Sequence, residues 1–422
     1  MTHFRWVICG LLFAATTINY VDRALFGQLA PELKKIFHWS DSDIPSISLW
    51  FEVAYAIGLA FAGRILDRVG TKLGLAVSFA AWCLVSTLHA GVATVVGFKI
   101  VRFFLGLTES GAWPAATKAA AEWFPRRERA TVAGAFNAGS NVGTMLMPLI
   151  AAWLFSNYGW QWTFIALGGG GLIWLLFWAA LYRLPSVHPR VSPAELALIQ
   201  SDPPDTITEM IPVRRILATR QAWAFIMGKF FTDMIFRWNV YLLPTFFYDH
   251  FKVSIKTAGL PFFAIYLMAT LGSVGGGGLS SALLHRGWSL NGARKTAMLL
   301  CVVCVLPIVL VTQISSLWLA VFIVGLMMAA HQGWSSNLYT SVSDLFPKHA
   351  VATVAGLGGT AGSVGAILLL NLTSNLFDAQ KPGADGNHVY TVIFIIAGCS
   401  YLAALASFHL LVPKFAPLKA EA

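Results

Sequence analysis

Residues 122–143 read EWFPRRERATVAGAFNAGSNVG, and residues 344–365 read DLFPKHAVATVAGLGGTAGSVG. The two stretches align without a gap at a spacing of 222 residues (122 to 344). Phe124 matches Phe346, Pro125 matches Pro347, and the run ATVAG and the closing Val-Gly coincide. A period of half the chain is too long for a solenoid, whose units run to roughly 20–50 residues. Long internal repeats belong instead to transporter folds, with a binding site near the bilayer midplane where the repeats meet.

Composition fixes the medium. Of 422 residues, 57% are hydrophobic and 11% charged, against about 25% charged in a soluble domain. Twelve apolar segments recur, at 6–30, 45–65, 73–91, 94–119, 131–155, 160–183, 222–247, 256–282, 294–313, 316–343, 350–374 and 389–411. Each is long enough to cross about 30 Å of hydrocarbon. A β-barrel would show alternating segments of about 10 residues. The expected fold is an all-α membrane protein: twelve transmembrane helices in two pseudo-symmetric six-helix bundles, 1–183 and 222–422. The polar stretch 184–221 between them is the expected linker, and SPAELALIQ (192–200) within it predicts a short amphipathic helix.

The net charge of +10 does not point to nucleic acid, because the placement of the charges accounts for it. About 19 of the 29 Lys and Arg fall in the N-terminal tail, alternate loops and the C-terminal tail, and about six on the other side, as the positive-inside bias requires. Both termini and the linker are therefore expected in the cytoplasm, with the chain multi-pass in the cell (inner) membrane. MTHFRWV runs into the first segment with no small-residue cleavage site, so it reads as retained. Cys9, Cys83, Cys301, Cys304 and Cys399 all lie in apolar segments, where packing is the expected role. One C-x-x-C pair without a second does not make a metal site. No H-E-x-x-H, G-x-S-x-G or Walker A stretch occurs, so no enzyme activity, metal or cofactor is expected.

Ionisable residues inside apolar segments are costly, about 2.5–3.5 kcal/mol each at mid-membrane, and mark function by default. Eight stand out: Asp22, Arg23, Glu52, Arg102, Glu109, Lys229, Asp233 and Arg237. With the first segment ending near residue 30, Asp22 lies roughly 12 Å from that end, and Arg102 lies about as deep in the fourth. These two are expected to pair. Glu109, seven residues on, would be about 10 Å deeper and alone. A lone buried carboxyl favours its neutral form, as a proton carrier must. Arg23 would then be left for a substrate carboxylate, which its planar fork suits. In the seventh segment Asp233 and Arg237 stand at i, i+4 and are expected to pair or to offer Arg237 as a second anchor. Pro244 is expected to break that helix near its outer end.

Hydroxyl groups of a substrate need neutral polar partners in an apolar cavity. The candidates are Tyr20, Tyr55, Asn137 and Ser140, with Asn239 in the seventh segment. The tenth adds His331, Gln332, Trp334, Ser335, Ser336 and Asn337, and the eleventh Thr360 and Ser363. For any Ser or Thr, bonding to its own helix carbonyl is the competing reading. The glycines of the repeat, and Gly275 to Gly278, suit close helix contact or a bendable helix.

GRILDRVGTK (63–72) resembles the G-x-x-x-D-R-x-G-x-[RK] signature of the major facilitator superfamily. The resemblance implies a cytoplasmic gate at Gly63, Asp67, Arg68 and Lys72, with Asp67 facing a helix N-terminus. The second-half counterpart, GGGGLSSALLHRG (275–287), lacks the acid, so an asymmetric gate is expected. NYVDR (19–23), the stretch from Arg102 to Ala130, and FNAGSNVG (136–143) look like the anion:cation symporter branch. Residues 330–359 are similar to the hexuronate transporters within it. That likeness implies proton-coupled uptake of glucuronate, galacturonate or a related aldonate by alternating access. It makes Asp22 and Glu109 the protonation sites and Arg23 the anion-binding arginine, with Tyr55 at a matching position; Arg102 is counted among the expected substrate-binding residues on its depth and charge. The expected partners are the sugar-acid anion, protons and the lipid bilayer, with a monomer as the working unit. The alternative is a symporter for another organic anion, such as a dicarboxylate or aromatic acid, or for phosphate.

Overall fold

The computed structural model describes residues 3–201, 212–346, 348–380 and 386–415; the side chains of residues 60, 63, 64, 67, 126, 127, 129–131, 133, 343, 348, 349, 351 and 352 lie outside the description. The described chain is helical: α1 Phe4–Phe37, α2 Asp43–Val69, α3 Thr71–Leu88, α4 Val95–Glu109, α5 Ala112–Trp123, α6 Arg126–Leu181 and α7 Pro193–Ile199. After these come α8 Val213–Leu217, α9 Arg220–Phe251, α10 Ile255–His285, α11 Leu290–Val305, α12 Leu317–Leu345, α13 Lys348–Asp378 and α14 Asn387–Leu411.

Eight helical stretches among the described residues are long and apolar enough to span a membrane on that basis alone. One of them, within α6, is two passes joined at Gly159, whose φ of 82° is open to glycine and strained for other residues. α2, the broken pair α4–α5 and α9 complete twelve passes; α2 and α9 carry more charge, and α4 and α5 are short. α3 shows why the chain needs lipid. Leu75, Phe79, Trp82 and Cys83 are buried while Leu73, Val77, Leu84 and Leu88 are exposed, so the helix is apolar on both faces.

The chain divides into two compact units, residues 1–39 with 46–207, and residues 40–45 with 208–422. In the first, α1 packs along α6 and α3 against α4 and α6. In the second, α9 packs on α13 and α14, and α10 on α12. The repeat explains the likeness. A Cβ on Gly143 would collide with the Thr17 carbonyl of α1, and one on the aligned Gly365 would sit 2.7 Å from the Phe230 carbonyl of α9. The aligned Gly134 and Gly356 face open space in both units. The leading acids also match: Glu122 accepts hydrogen bonds from Thr71 and Tyr182, and Asp344 takes Arg294 at 3.1 Å.

One expectation fails locally. Pro244 does not break its helix, since α9 runs on to Phe251 with the proline inside. Gly275 to Gly278 lie inside the continuous α10. Gly276 is pressed against Gly333 of α12, where a side chain would not fit, which is the close helix contact expected of the run, while Gly275 and Gly278 face open space. The short α7 does form, with Ser192 accepting the Glu195 amide at 3.2 Å. Its Glu195 carboxylate reaches across to the Phe4 and Arg5 amides that begin α1, and to the Arg5 guanidinium, which also pairs with Glu128.

Candidate functional site

α1, α2 and α4 carry buried charges of the first unit. Arg23, Glu109, Arg102, Asp22 and Glu52 are all buried, with Glu109 and Glu52 fully enclosed. The pairing differs from the sequence expectation. Arg23 donates from Nε and Nη2 to Glu109 Oε2 at 3.2 and 3.1 Å. Glu109 is therefore not alone, and Arg23 is not left over. Asp22 forms no ion pair with Arg102; its Oδ1 accepts from Ser86 at 3.2 Å.

The difference comes from one helix end. α1 does not stop near residue 30 but continues through Pro31 to Phe37, where His38 closes it in a left-handed turn. Asp22 and Arg23 thus lie 15 and 14 residues from that end (37 − 22 and 37 − 23), about 22 Å deep at 1.5 Å per residue. Glu109 is 14 residues into α4 (109 − 95), about 21 Å. Arg23 and Glu109 are level, and Arg102 is the shallower group.

Aromatic rings surround the two arginines. The Arg23 guanidinium lies over Tyr55 at 4.4 Å, Tyr20 at 5.1 Å and Phe51 at 5.3 Å. Arg102 lies over Phe51 at 4.5 Å and Phe26 at 5.0 Å. Cation–π contact of this kind contributes up to about 2 kcal/mol when desolvated. It does not offset burying several ions, each costing several kcal/mol. A buried ion network is therefore weak evidence for stability. Glu109 Oε1, Asp22 Oδ2 and both amide atoms of Asn19 are buried without a hydrogen-bond partner. Asn19 and Ser86 were not singled out in the sequence. Asn19 stands one turn before Arg23, on the same face; Ser86 is a polar residue on the buried face of α3.

The other candidates scatter. Asn137 is exposed on α6, and its carbonyl accepts the Ser140 hydroxyl at 2.6 Å. Thr360 likewise bonds its own helix at Gly356. In the second unit, Trp334 is fully buried and Ser335 half-buried. The Asn337 amide nitrogen is committed to the Gly276 and Gly333 carbonyls at 2.8 and 2.9 Å, joining α12 to α10. Asn239 bonds the Ile235 carbonyl. Asp233 pairs with Lys229 at 2.7 Å rather than with Arg237, which is half-buried. Of the expected gate, Arg68 and Lys72 are exposed, while the side-chain positions at Gly63 and Asp67 lie outside the described residues.

A helical membrane protein made of two repeated units, with a charge network deep among its helices, has the build of a secondary transporter. The chain belongs to the Major Facilitator Superfamily, whose family model matches residues 12–370. It is 27% identical to the hexuronate transporter of Escherichia coli (strain K12), over 89% of this chain and 88% of that one. It is 28% identical to a probable galactarate/D-glucarate transporter of Bacillus subtilis (strain 168), over 97% and 92%. Its fold matches a crystal structure of a bacterial homolog to the human lysosomal transporter Spinster, with a TM-score of 0.78, 16% identity and 98% of each chain covered. These relatives are transporters, not enzymes.

Proposed function

We propose that the protein takes up an anionic sugar acid together with protons, by alternating access, as a monomer in the cell (inner) membrane with both termini cytoplasmic. The substrate class is a hexuronate such as galacturonate or glucuronate, or a related aldonate. The names of its relatives support that class. The observation that carries the mechanism is the Arg23–Glu109 contact at 3.1 Å. While Glu109 is ionised it occupies the guanidinium fork. A proton on Glu109 removes the competitor, and the fork becomes free to take a substrate carboxylate. Proton and anion thus bind as a unit, and leaving of the anion restores the internal pair. Asp22, with an unpartnered oxygen one residue from Arg23, is the second proton site.

Tyr20 and Tyr55 flank the anion, and Arg102 adds positive potential. Asn137, Ser140, Trp334, Ser335, Asn337, Arg237 and Asn239 supply hydroxyl contacts and a further charge. Gly63, Asp67, Arg68 and Lys72 form the cytoplasmic gate. The bundles are 1–183 and 222–422, with 184–221 as linker. A second reading, a sugar di-acid, is favoured by the galactarate/D-glucarate relative that spans 97% of this chain. The test is uptake of labelled galacturonate, glucuronate, galactonate and glucarate into proteoliposomes with and without an inward proton gradient. Accumulation only with the gradient is expected. Uptake indifferent to the gradient removes the symport reading, and accumulation of glucarate alone selects the di-acid.

A further inference from the structure

α9 holds a second charged cluster that the mechanism above leaves unused. Lys229 Nζ and Asp233 Oδ2 are 2.7 Å apart, one turn along a single helix, and the two residues are 5% and 7% exposed. Asp233 Oδ1 is buried with no hydrogen-bond partner. The charged and titratable groups facing the pair are Arg237 on α9, His331 and Tyr339 on α12, and Tyr401 on α14. The Tyr339 ring lies 4.8 Å from the ammonium. His331 Nδ1 and the Tyr401 hydroxyl are 2.6 Å apart, and the imidazole stacks on Phe236.

α13 makes room for the pair. A Cβ on Gly358 would come within 3.0 Å of Lys229 Cγ, and one on Gly362 within 2.8 Å of Asp233 Oδ2. The repeat locates the cluster further. Because Gly143 meets Thr17 and Gly365 meets Phe230, Thr16 corresponds to Lys229 and Tyr20 to Asp233. Tyr20 is a wall of the Arg23 site in the first unit. Burying two ions costs far more than an i, i+4 pair returns to its helix, so helix stability does not explain the pair.

We propose that Lys229 is a second carboxylate-binding residue of the carrier and that Asp233 neutralises it until an anion and a proton arrive together. In the empty state the ammonium faces the Asp233 carboxylate. In the loaded state a substrate carboxylate takes the ammonium and Asp233 takes one proton from solution. One O–H bond forms on Asp233 as hydronium gives up its proton and leaves as water, no other covalent bond changes, and the net charge of the cluster stays the same. The identity of the anion rests on the sugar-acid reading above.

Calorimetric binding of D-galacturonate and D-glucarate to the purified full chain, at acid and at neutral pH, tests this. The variants are Lys229→Gln, Asp233→Asn and the double variant, each checked for folding by thermal unfolding. Lys229→Gln is expected to weaken binding of the better probe by about tenfold or more. Asp233→Asn is expected to bind at neutral pH as the wild type does at acid pH. The double variant separates the roles. A merely structural pair tolerates losing both charges, whereas a lost anchor stays lost. If the wild type binds and the double variant binds within about twofold of it, the inference about Lys229 alone falls. If the wild type binds neither probe, the sugar-acid reading falls and takes this inference with it.

Discussion

In the first unit the buried cation and carboxylate stand on different helices, Arg23 on α1 and Glu109 on α4; in the second, Lys229 and Asp233 stand one turn apart on α9. The difference is mechanical. A pair that bridges two helices opens when the helices slide, or when its carboxylate takes a proton. A pair within one rigid helix keeps its spacing however the helices move, so only a proton or a competing anion opens it. The first arrangement can couple charge to helix motion. The second responds to charge alone.

The most damaging change should be Arg23→Ala. It removes the fork and leaves Glu109 enclosed with no cation on Oε2. Truncating one partner of a buried charge pair costs on the order of 2–5 kcal/mol in binding, so affinity for the sugar acid should fall by about a hundredfold or more. Titration of purified protein reads this directly. Binding that survived intact would move the anion site away from α1.

Glu109→Gln comes next, because it keeps the shape and removes the proton cycle. Bound substrate should still exchange across a proteoliposome membrane, while net accumulation against a gradient should disappear. Accumulation at the wild-type level would mean that the bridging pair is not the coupling element. Asp22 would then carry the coupling.

The glycine pair gives a smaller effect that sharpens the likeness of the two units. Gly143→Ala drives a methyl into the Thr17 carbonyl, whereas Gly365→Ala approaches the Phe230 carbonyl at 2.7 Å. Overpacking of this sort costs about 1–3 kcal/mol. Thermal unfolding in detergent should fall more for Gly143→Ala than for Gly365→Ala. Gly134→Ala and Gly356→Ala, which point into open space, should change little. Equal loss at all four would dissolve the correspondence.

The repeat itself was plain in the sequence, because close helix contact demands small residues at fixed spacing and leaves an aligned pattern. The buried charges were equally plain, since so few ionisable residues occur in apolar segments. Their partners were not. The expected Asp22–Arg102 pair depended on where α1 ends, and the polar run from Pro31 to Lys35 read as a loop. That run is helix, which sets Arg23 level with Glu109. The same weakness affected Asp233. Helical spacing puts Lys229 and Arg237 each one turn away, and periodicity cannot choose between two equidistant cations. Packing chooses, because Gly358 and Gly362 leave a space that Lys229 and Asp233 fill. At Gly159 the polar turn that a sequence reader looks for is replaced by one left-handed glycine between continuous helices.

The smallest effect concerns how each unit anchors its first long helix. α9 is capped locally, the Thr219 hydroxyl accepting the Ala222 amide at 3.3 Å. α1 is held from a distance by Glu195, beside a His188 ring that packs tilted against Phe4 at 4.3 Å and meets Trp123 edge-on at 5.4 Å. Burial lowers the His188 pKa below its ordinary 6.5, with the nearby Arg183 and Arg190 adding to the shift and the Leu181 carbonyl opposing it. The folded chain therefore prefers the neutral ring. Below about pH 6.5 the unfolded chain binds a proton that the folded one refuses, so stability is full above that value and declines as pH falls through it. His188→Phe keeps an aromatic ring in place and removes the titration. Its unfolding temperature should therefore fall less than the wild type's between neutral and mildly acid pH. A Thr219→Ala variant should lower stability by about 1 kcal/mol and leave the pH dependence as it was. If His188→Phe tracked the wild type across that window, the acid sensitivity would not belong to the ring.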